Sequence, residues 1–384
     1  MRYVQINSFY NGSTGTIMRN LHKELKEQGI DSYIFWGRRH ETISDHEICC
    51  ASKLGVYAHG ALSRLTDRAG FYSKRDTRRL LERLEAIDPD VVHLHNIHGY
   101  YINIEMLFEW LANHRCQVKW TLHDCWAFTG HCSHFTYVGC ERWRDGCHDC
   151  PQKREYPRSV LADASERSFR DKRCLFNLVA PERMEIVTPS QWLADLVGRS
   201  FLSKYPVTVR HNTVDRSIFK PTPSDFRERY GLGDKFVILG VASPWTERKG
   251  FDDFLMLKKE INEDFRIVLV GLSKRQLKHI PSDVLGLPRM ASKRDLAEAY
   301  SAADVLFNPT KEDTYPTVNL EAESCGTPVV VYDTCGASET ISNENSLIVP
   351  STESSKVAFV ARYLIRIRSE HVFAGSSHNR DRVL

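Results

Sequence analysis

A chain of 384 residues, 42% apolar and 26% charged, has the composition of a soluble globular protein and is too long for one core of ordinary size, so two domains are expected. A net charge of +3 is too small for a nucleic-acid-binding face, and nucleic acid is not an expected partner. The start MRYVQINSFYNGSTG lacks a basic segment leading into an apolar one, and nowhere do eighteen apolar residues run together, which points to the cytoplasm.

Short apolar strands alternate with helical stretches from the start. Tyr3 to Asn7 reads as a strand, followed by a helix with Ile17, Leu21 and Leu25 at spacing four and a stop at Gly29. Further strands are expected at 33–36, 91–95, 118–122 and 186–188. Such strands, buried on both faces and separated by helices, indicate an α/β fold with a parallel, doubly wound sheet. Gly12 and Gly15 lie in the first strand-to-helix turn, where missing side chains let backbone approach a phosphate or an acceptor, or simply make the turn tight. Their spacing is not G-x-G-x-x-G, so nicotinamide cofactors are not expected. From Ser63 to Leu84, Arg64, Arg68, Lys74, Arg75, Arg78, Arg79 and Arg83 accompany Leu80, Leu81 and Leu84. That segment reads either as a peripheral membrane face (63–84) or as a solvated helix face. His123 and Asp124 follow a strand ending at Leu122, on the side where such sheets bind ligands.

A Cys-rich loop, 125–151, comes next. Eleven cysteines in a chain of this size argue against a disulfide framework. Cys132, Cys140, Cys147 and Cys150, spaced C-x7-C-x6-C-x2-C, are a candidate structural zinc site that would order the long loop, with His131, His134 and His148 as alternative ligands. Buried thiols or disulfides are the competing readings. Trp126, Phe128, Phe135, Tyr137 and Trp143 either shape an acceptor pocket or pack on the domain.

The pattern restarts with strands at 236–241, 267–270, 305–308, 329–332 and 347–349. The turn-rich linker 203–223 gives domains 1–205 and 206–350, then a C-terminal helix and tail, 351–384. Within KEDTYPTVNLEAESCGTPVVV, Asp313 and Glu321 flank a Pro-containing loop entering a helix near Thr317, which Gly326 and Pro328 end. The carboxylates can accept sugar or ribose hydroxyls, and the helix start can bind anionic oxygens. Lys249 and Arg248 supply cations for a diphosphate, or form a solvated pair. No D-x-D pair is placed as a metal–diphosphate clamp, so no catalytic cofactor is expected.

NGSTGT (11–16), HLHN (93–96), TLHD (121–124), TPSQWL (188–193), HNTVDRSIFKP (211–221), GVASPWTERKG (240–250) and EDTYPTVNLEAESCGTPVV (312–330) together resemble glycosyltransferase family 4 of the colanic-acid and exopolysaccharide type, from the first residue to about Pro350. The resemblance implies the GT-B arrangement, two Rossmann-like domains facing across a cleft, and retaining transfer of a hexose-type unit from a nucleotide-diphosphate sugar to a saccharide or lipid-linked acceptor, without a covalent enzyme intermediate. It implies an exopolysaccharide or O-antigen product; the expected location is the cytoplasm, with peripheral contact at the inner face of the plasma membrane on the membrane reading of 63–84. In the family's E-x7-E motif Glu321 matches the second Glu, which binds ribose; the first falls on Asp313, beside Glu312. Thr314, Tyr315, Pro316 and Thr317 would hold the donor together with Gly15; His123 would contact the transferred sugar, oriented by Asp124, which is placed with Gly12 on the acceptor side. Lys249 matches the family's diphosphate Lys; Ser243 occupies its Arg position, leaving Arg248 as substitute, and Cys335-Gly336 replaces a Gly-Gly pair. Two alternatives are a sugar-nucleotide epimerase on the same fold and a non-enzymatic binding protein built on the zinc loop.

Overall fold

Strands with no polar face need cover on both sides, and the computed structural model, which describes residues 1–38 and 41–378, provides it twice. The chain divides into two units, Met1–His211 and Asn212–Leu384. The division falls after the 205/206 boundary expected from the sequence, because Val207–Val209 completes the first sheet as its edge strand.

In chain order the first unit contains β1 (Arg2–Phe9), α1 (Ser13–Glu27), β2 (Asp31–Arg38), β3 (Glu47–Cys49), α2 (Lys53–Thr66), α3 (Lys74–Ile87), β4 (Val91–Leu94), α4 (Ile104–Asn113), β5 (Gln117–Thr121), α5 (Ser165–Leu175), β6 (Met184–Thr188), α6 (Gln191–Gly198) and β7 (Val207–Val209). All seven strands are parallel in the order β3-β2-β1-β4-β5-β6-β7, with Ile6 paired to Phe35 on one side and Leu94 on the other. The direction in which successive strands are added across the sheet reverses between β1 and β4, so the loops after these two strands diverge. α1 buries Gly15, Met18, His22 and Leu25 against the sheet, while Ile17 and Leu21 flank that stripe half-buried.

Two expectations from the sequence change here. Leu80 and Leu84 of α3 are buried in the core at 2% and 0% exposure, so they are not available to lipid; the helix shows solvent Lys74, Arg75, Arg78, Arg79 and Arg83. Trp126, Phe128, Phe135 and Trp143 of the Cys-rich loop are also buried in the domain core, which fixes them as packing residues; Tyr137 stays exposed.

The second unit contains α7 (Phe226–Arg229), β8 (Phe236–Val241), α8 (Phe251–Glu260), β9 (Phe265–Val270), α9 (Lys274–Leu277), β10 (Leu285–Leu287), α10 (Lys293–Ala302), β11 (Val305–Asn308), α11 (Thr317–Ser324), β12 (Val329–Tyr332), β13 (Leu347–Val349) and α12 (Lys356–His378). Its six strands are parallel in the order β10-β9-β8-β11-β12-β13. Two apolar clusters cover its faces, one around Phe254 and Phe307 with α8 and α12, the other around Tyr300 and Ala322 with α10 and α11. The end of the expected polar tail, 379–384, lies outside the described residues.

Candidate functional site

In the second unit the strand order turns at β8 and β11, so the loops leaving their carboxyl ends part and leave room for a ligand. The β8 loop ends in a single 3-10 turn, Glu247–Lys249, whose start is capped by the Thr246 hydroxyl accepting from the Lys249 N–H. Gly250 follows at φ 74°, and a Cβ there would overlap the Pro309 carbonyl. Only glycine lets the β8 and β11 loops come this close. The consequence is an ion pair between Lys249 Nζ and Asp313 Oδ2. Arg248 Nη1 donates to the Glu312 carbonyl at 2.7 Å, and the Lys311 N–H to the Arg248 carbonyl at 2.8 Å. The Gly336 N–H donates to the Asp313 carbonyl at 3.1 Å. Lys249, Arg248, Asp313 and the Cys335-Gly336 turn, distant in sequence, therefore meet at one strand-end gap.

Past Asp313 the loop is packed into the unit: Thr314, Tyr315 and Pro316 are buried, and the Tyr315 carbonyl accepts from Asn212 Nδ2 at 3.4 Å. Thr317 opens α11, whose Asn319 is fully buried and bonded to Asn308 at the end of β11 and to Thr340 Oγ1, each at 2.8 Å. One turn into that helix Glu321 Oε2 accepts from the Tyr300 hydroxyl at 2.9 Å. Burial pushes its carboxyl up to about 7, against the opposing pull of Tyr300, Lys293 and Thr317. Tyr300 was not legible as a site residue from sequence, since it lies on α10.

In the first unit the corresponding turn point lies between β1 and β4. A Cβ on Gly15 would overlap the Tyr10 carbonyl, so Gly15 is fixed by close packing of α1 on the β1 loop; Gly12, at φ 91°, has open space around it. Asn7 joins the two loops, donating to the Phe9 carbonyl at 2.9 Å and accepting from the Asn96 N–H at 3.3 Å. His123 sits beyond β5 with Nε2 3.2 Å from His95 Nδ1, and burial lowers its pKa to about 4, so the ring is neutral at physiological pH. Asp124 does not orient His123 as expected. Its Oδ2 lies 3.0 Å from His98 Nε2 and its Oδ1 accepts from the Trp126 N–H at 2.9 Å. Burial opposes ionisation of Asp124, yet His98, His134 and the Trp126 N–H together hold it down at about 2. One partner of the His123 ring is His95, itself held by Gln5 Oε1 at 3.1 Å. His95 was visible in HLHN, but pairing across strands leaves no sequence spacing to read.

Cys132, Cys140, Cys147 and Cys150 line one pocket of the first unit. Among the described residues no three His, Cys, Asp or Glu side chains are already arranged to hold a metal ion. No helix among them is long and apolar enough to cross a membrane.

Comparison with known proteins matches residues 14–218, more than half of the chain, to the family described as Glycosyltransferase Family 4, and residues 235–366 to Glycosyl transferases group 1. The chain is 27% identical over 369 residues to "Putative colanic acid biosynthesis glycosyl transferase WcaC" of Escherichia coli (strain K12), covering 92% of this chain and 88% of that protein. Among solved structures it resembles sucrose-phosphate synthase from Thermosynechococcus elongatus, with a TM-score of 0.69 at 15% identity over 95% of this chain and 90% of that one. Anabaena HepE in complex with UDP gives 0.62 at 14% identity, with the same coverage of 95% and 90%. These likenesses extend over both sheets, so the two parallel α/β units have the fold of GT-B glycosyltransferases. With the family match spanning the greater part of the sequence, the chain belongs to Glycosyltransferase Family 4 and is a glycosyltransferase.

Proposed function

We propose that this glycosyltransferase moves a hexose-type unit, with retention, from a nucleotide-diphosphate sugar to a saccharide or lipid-linked acceptor in exopolysaccharide or lipopolysaccharide-type biosynthesis. The observation that carries the donor half is the convergence of Lys249, Arg248 and Asp313 at the strand-end gap of the second unit. Cleaving the sugar–phosphate bond leaves negative charge on the diphosphate. Lys249 and Arg248 neutralise that charge, and the start of α11 at Thr317 adds N–H donors. Asp313 and the 314–317 loop take sugar hydroxyls, and Glu321 takes those of the ribose. The first unit is the acceptor side, with neutral His123 donating to or accepting from the transferred sugar. With two cations at the leaving group, the transfer is proposed to need no metal there. The UDP held by the Anabaena relative makes uracil the first base to test.

The acceptor surface is assigned to α2, in place of the 63–84 segment. This helix exposes Leu54 at 84%, Tyr57 at 76%, Leu62 at 42% and Leu65 at 49%, all on one side at helical spacing. Val160 and Leu161 continue the apolar strip, because the Val160 N–H donates to the Arg64 carbonyl at 2.7 Å. Exposed Lys53 and Arg64 of the same helix accompany it, the composition of a peripheral face for anionic lipid on the cytoplasmic side of the plasma membrane. Beside α2 a cavity of about 550 Å³ brings Arg38, Lys53 and Arg64 together with Glu41, Tyr57 and Tyr100, which suits a phosphate-bearing acceptor.

Thermal shift against a panel of nucleoside diphosphates and their sugars tests the donor assignment, since ligand at 100 times its Kd raises stability by about 2.7 kcal/mol. Stabilisation by one base and its sugar nucleotide is expected; no shift from any member rejects the donor site. Incubating the stabilising donor without acceptor then separates transfer from epimerisation, because an epimerised sugar nucleotide would defeat the transferase reading.

A further inference from the structure

The loop between β5 and α5 holds a group of side chains that glycosyl transfer does not use. Apart from one 3-10 turn at Trp126–Phe128 it has no regular element until Ser165, and so long a loop in a compact domain needs something besides backbone ladders to order it. Phe135 and Trp143 stack at 5.0 Å between ring centroids, with Phe128 5.5 Å from Trp143, and form an aromatic floor. Against this floor Cys132, Cys140, Cys147 and Cys150 surround one pocket. Cys132 and Cys147 are buried, while Cys140 and Cys150 are half-buried.

The backbone is shaped around these sulfurs. The Gly130 N–H donates to Cys147 Sγ at 3.2 Å, and the Cys132 and Cys150 side chains hydrogen-bond to each other. Between Cys147 and Cys150, Asp149 adopts φ 42°, which turns the C-x2-C segment back on itself. Arg142 Nη1 clamps that turn by donating to the carbonyls of His148 and Asp149 at 2.8 and 2.5 Å, and the Cys150 N–H donates to Asp163 Oδ2 at 2.7 Å. Both cysteines of the pair are thereby presented from a fixed knuckle.

Lys172 of α5 anchors the start of the same loop. Its side chain is buried, donates to the carbonyls of Trp126 and Thr129 at 2.9 and 3.0 Å, and places Nζ 3.4 Å from the Trp126 ring centroid.

We propose that Cys132, Cys140, Cys147 and Cys150 bind one structural Zn²⁺ in a closed tetrahedral site that orders this loop. The four thiols do not yet converge on a common point, so capture involves rotation of their side chains, and it releases the thiol protons. His148 is exposed, with Nδ1 against the Gly146 carbonyl, and His131 is held by Asp67, so neither is needed as a ligand.

Elemental analysis of the full-length protein, purified without chelator, tests this directly. One zinc per chain is expected, released stepwise as a mercurial reagent blocks four of the eleven thiols. Cobalt-loaded protein should show the intense visible bands of a tetrahedral thiolate site. Cys147→Ser should lower retained zinc by roughly tenfold or more, whereas Cys174→Ser, at an exposed cysteine of α5, should leave it unchanged. If Cys147→Ser does not fold, the metal content and cobalt spectrum of the unaltered protein decide. Protein without zinc, a Cys132–Cys150 disulfide found by mass spectrometry, or zinc fully retained in a folded Cys147→Ser variant would each overturn the proposal.

Discussion

Replacing Lys249 by Met removes the ammonium and keeps most of the stem. Two separable effects follow. Lys249 and Asp313 keep 26% and 18% of their side-chain surface exposed, so the pair is only partly desolvated and its loss should cost about 1 kcal/mol of stability at most. For a unit of this size that lowers Tm by roughly 2–4 °C. Catalysis is far more sensitive, because the diphosphate gains charge as the sugar departs and Asp313, stripped of its partner, adds like-charge repulsion. One lost donor to developing charge costs roughly 10²–10³ in kcat, about 3–4 kcal/mol. Steady-state kinetics with the sugar nucleotide, beside a thermal melt, measure both. Asp313→Asn supplies the control: if Lys249 served only to position Asp313, the two single variants and the double variant would lose activity equally. A Lys249→Met enzyme with unaltered kcat, or that equality, would refute the role given to Lys249.

Gly250→Ala forces a side chain into the Pro309 carbonyl at φ 74°, so it should cost at least 1–3 kcal/mol in a denaturant melt and separate the loops that join Lys249 to Asp313; a neutral melt would show that these loops tolerate parting. Burial raises the Glu321 carboxyl from 4.5 to about 7, so between those values the unfolded chain has lost a proton that the folded chain retains. Stability of the unliganded protein should therefore fall as pH rises through this window, by about 3 kcal/mol at most, and Glu321→Gln should remove the slope. Sugar-nucleotide affinity should rise through pH 7 as the ionised carboxylate accepts ribose hydroxyls, and a profile equally steep in Glu321→Gln would place that titration elsewhere. On α2, Leu54→Asp with Leu65→Asp should abolish co-sedimentation with anionic vesicles while moving stability by no more than about 0.5 kcal/mol per site; full vesicle binding by the double variant would remove α2 from the membrane.

Much of the fold was legible because the signals are local. FVILGV at 236–241 and FRIVLV at 265–270 have no polar face, and both are central strands of the second sheet. The Asp313 loop and α11 were legible too, since a Pro-containing entry and a Gly stop lie within one run, and Gly326 does turn at φ 85° directly after the helix. The three-residue strands β3, β7 and β10 were not, although the all-apolar run of the equally short β13 was; β7 is what displaced the unit boundary. Contacts between loops leave even less trace. Nothing near Gly250 announces Pro309, and nothing near Asp124 announces His98, so the glycine's necessity and the carboxylate's true partner emerge only with topology.

The hardest feature to read was which side of a helix faces in. α3 follows the usual rule, with Leu80 and Leu84 inward and arginines outward. α2 inverts it: the buried residues are His59, Gly60 and Ser63, and the leucines face out. Hydrogen bonds specify that inner face. His59 Nδ1 lies 2.7 Å from Ser73 Oγ, its Nε2 accepts from the Gly70 N–H at 3.1 Å, and Asp76 accepts from the Ser52 N–H and hydroxyl at 3.1 and 3.0 Å. Burial holds the His59 pKa near 3, so the ring stays neutral and these bonds persist across physiological pH. Leu54, at 84% exposure, forgoes most of the ~1.5–3 kcal/mol that full burial would have contributed, and Leu62 and Leu65 roughly half of it each. A helix anchored by polar contacts and apolar on its free side gains nothing from that arrangement in water, and recovers the lost burial only when another apolar phase covers it. Under the proposed docking, lipid with anionic headgroups beside Lys53 and Arg64 would be such a phase.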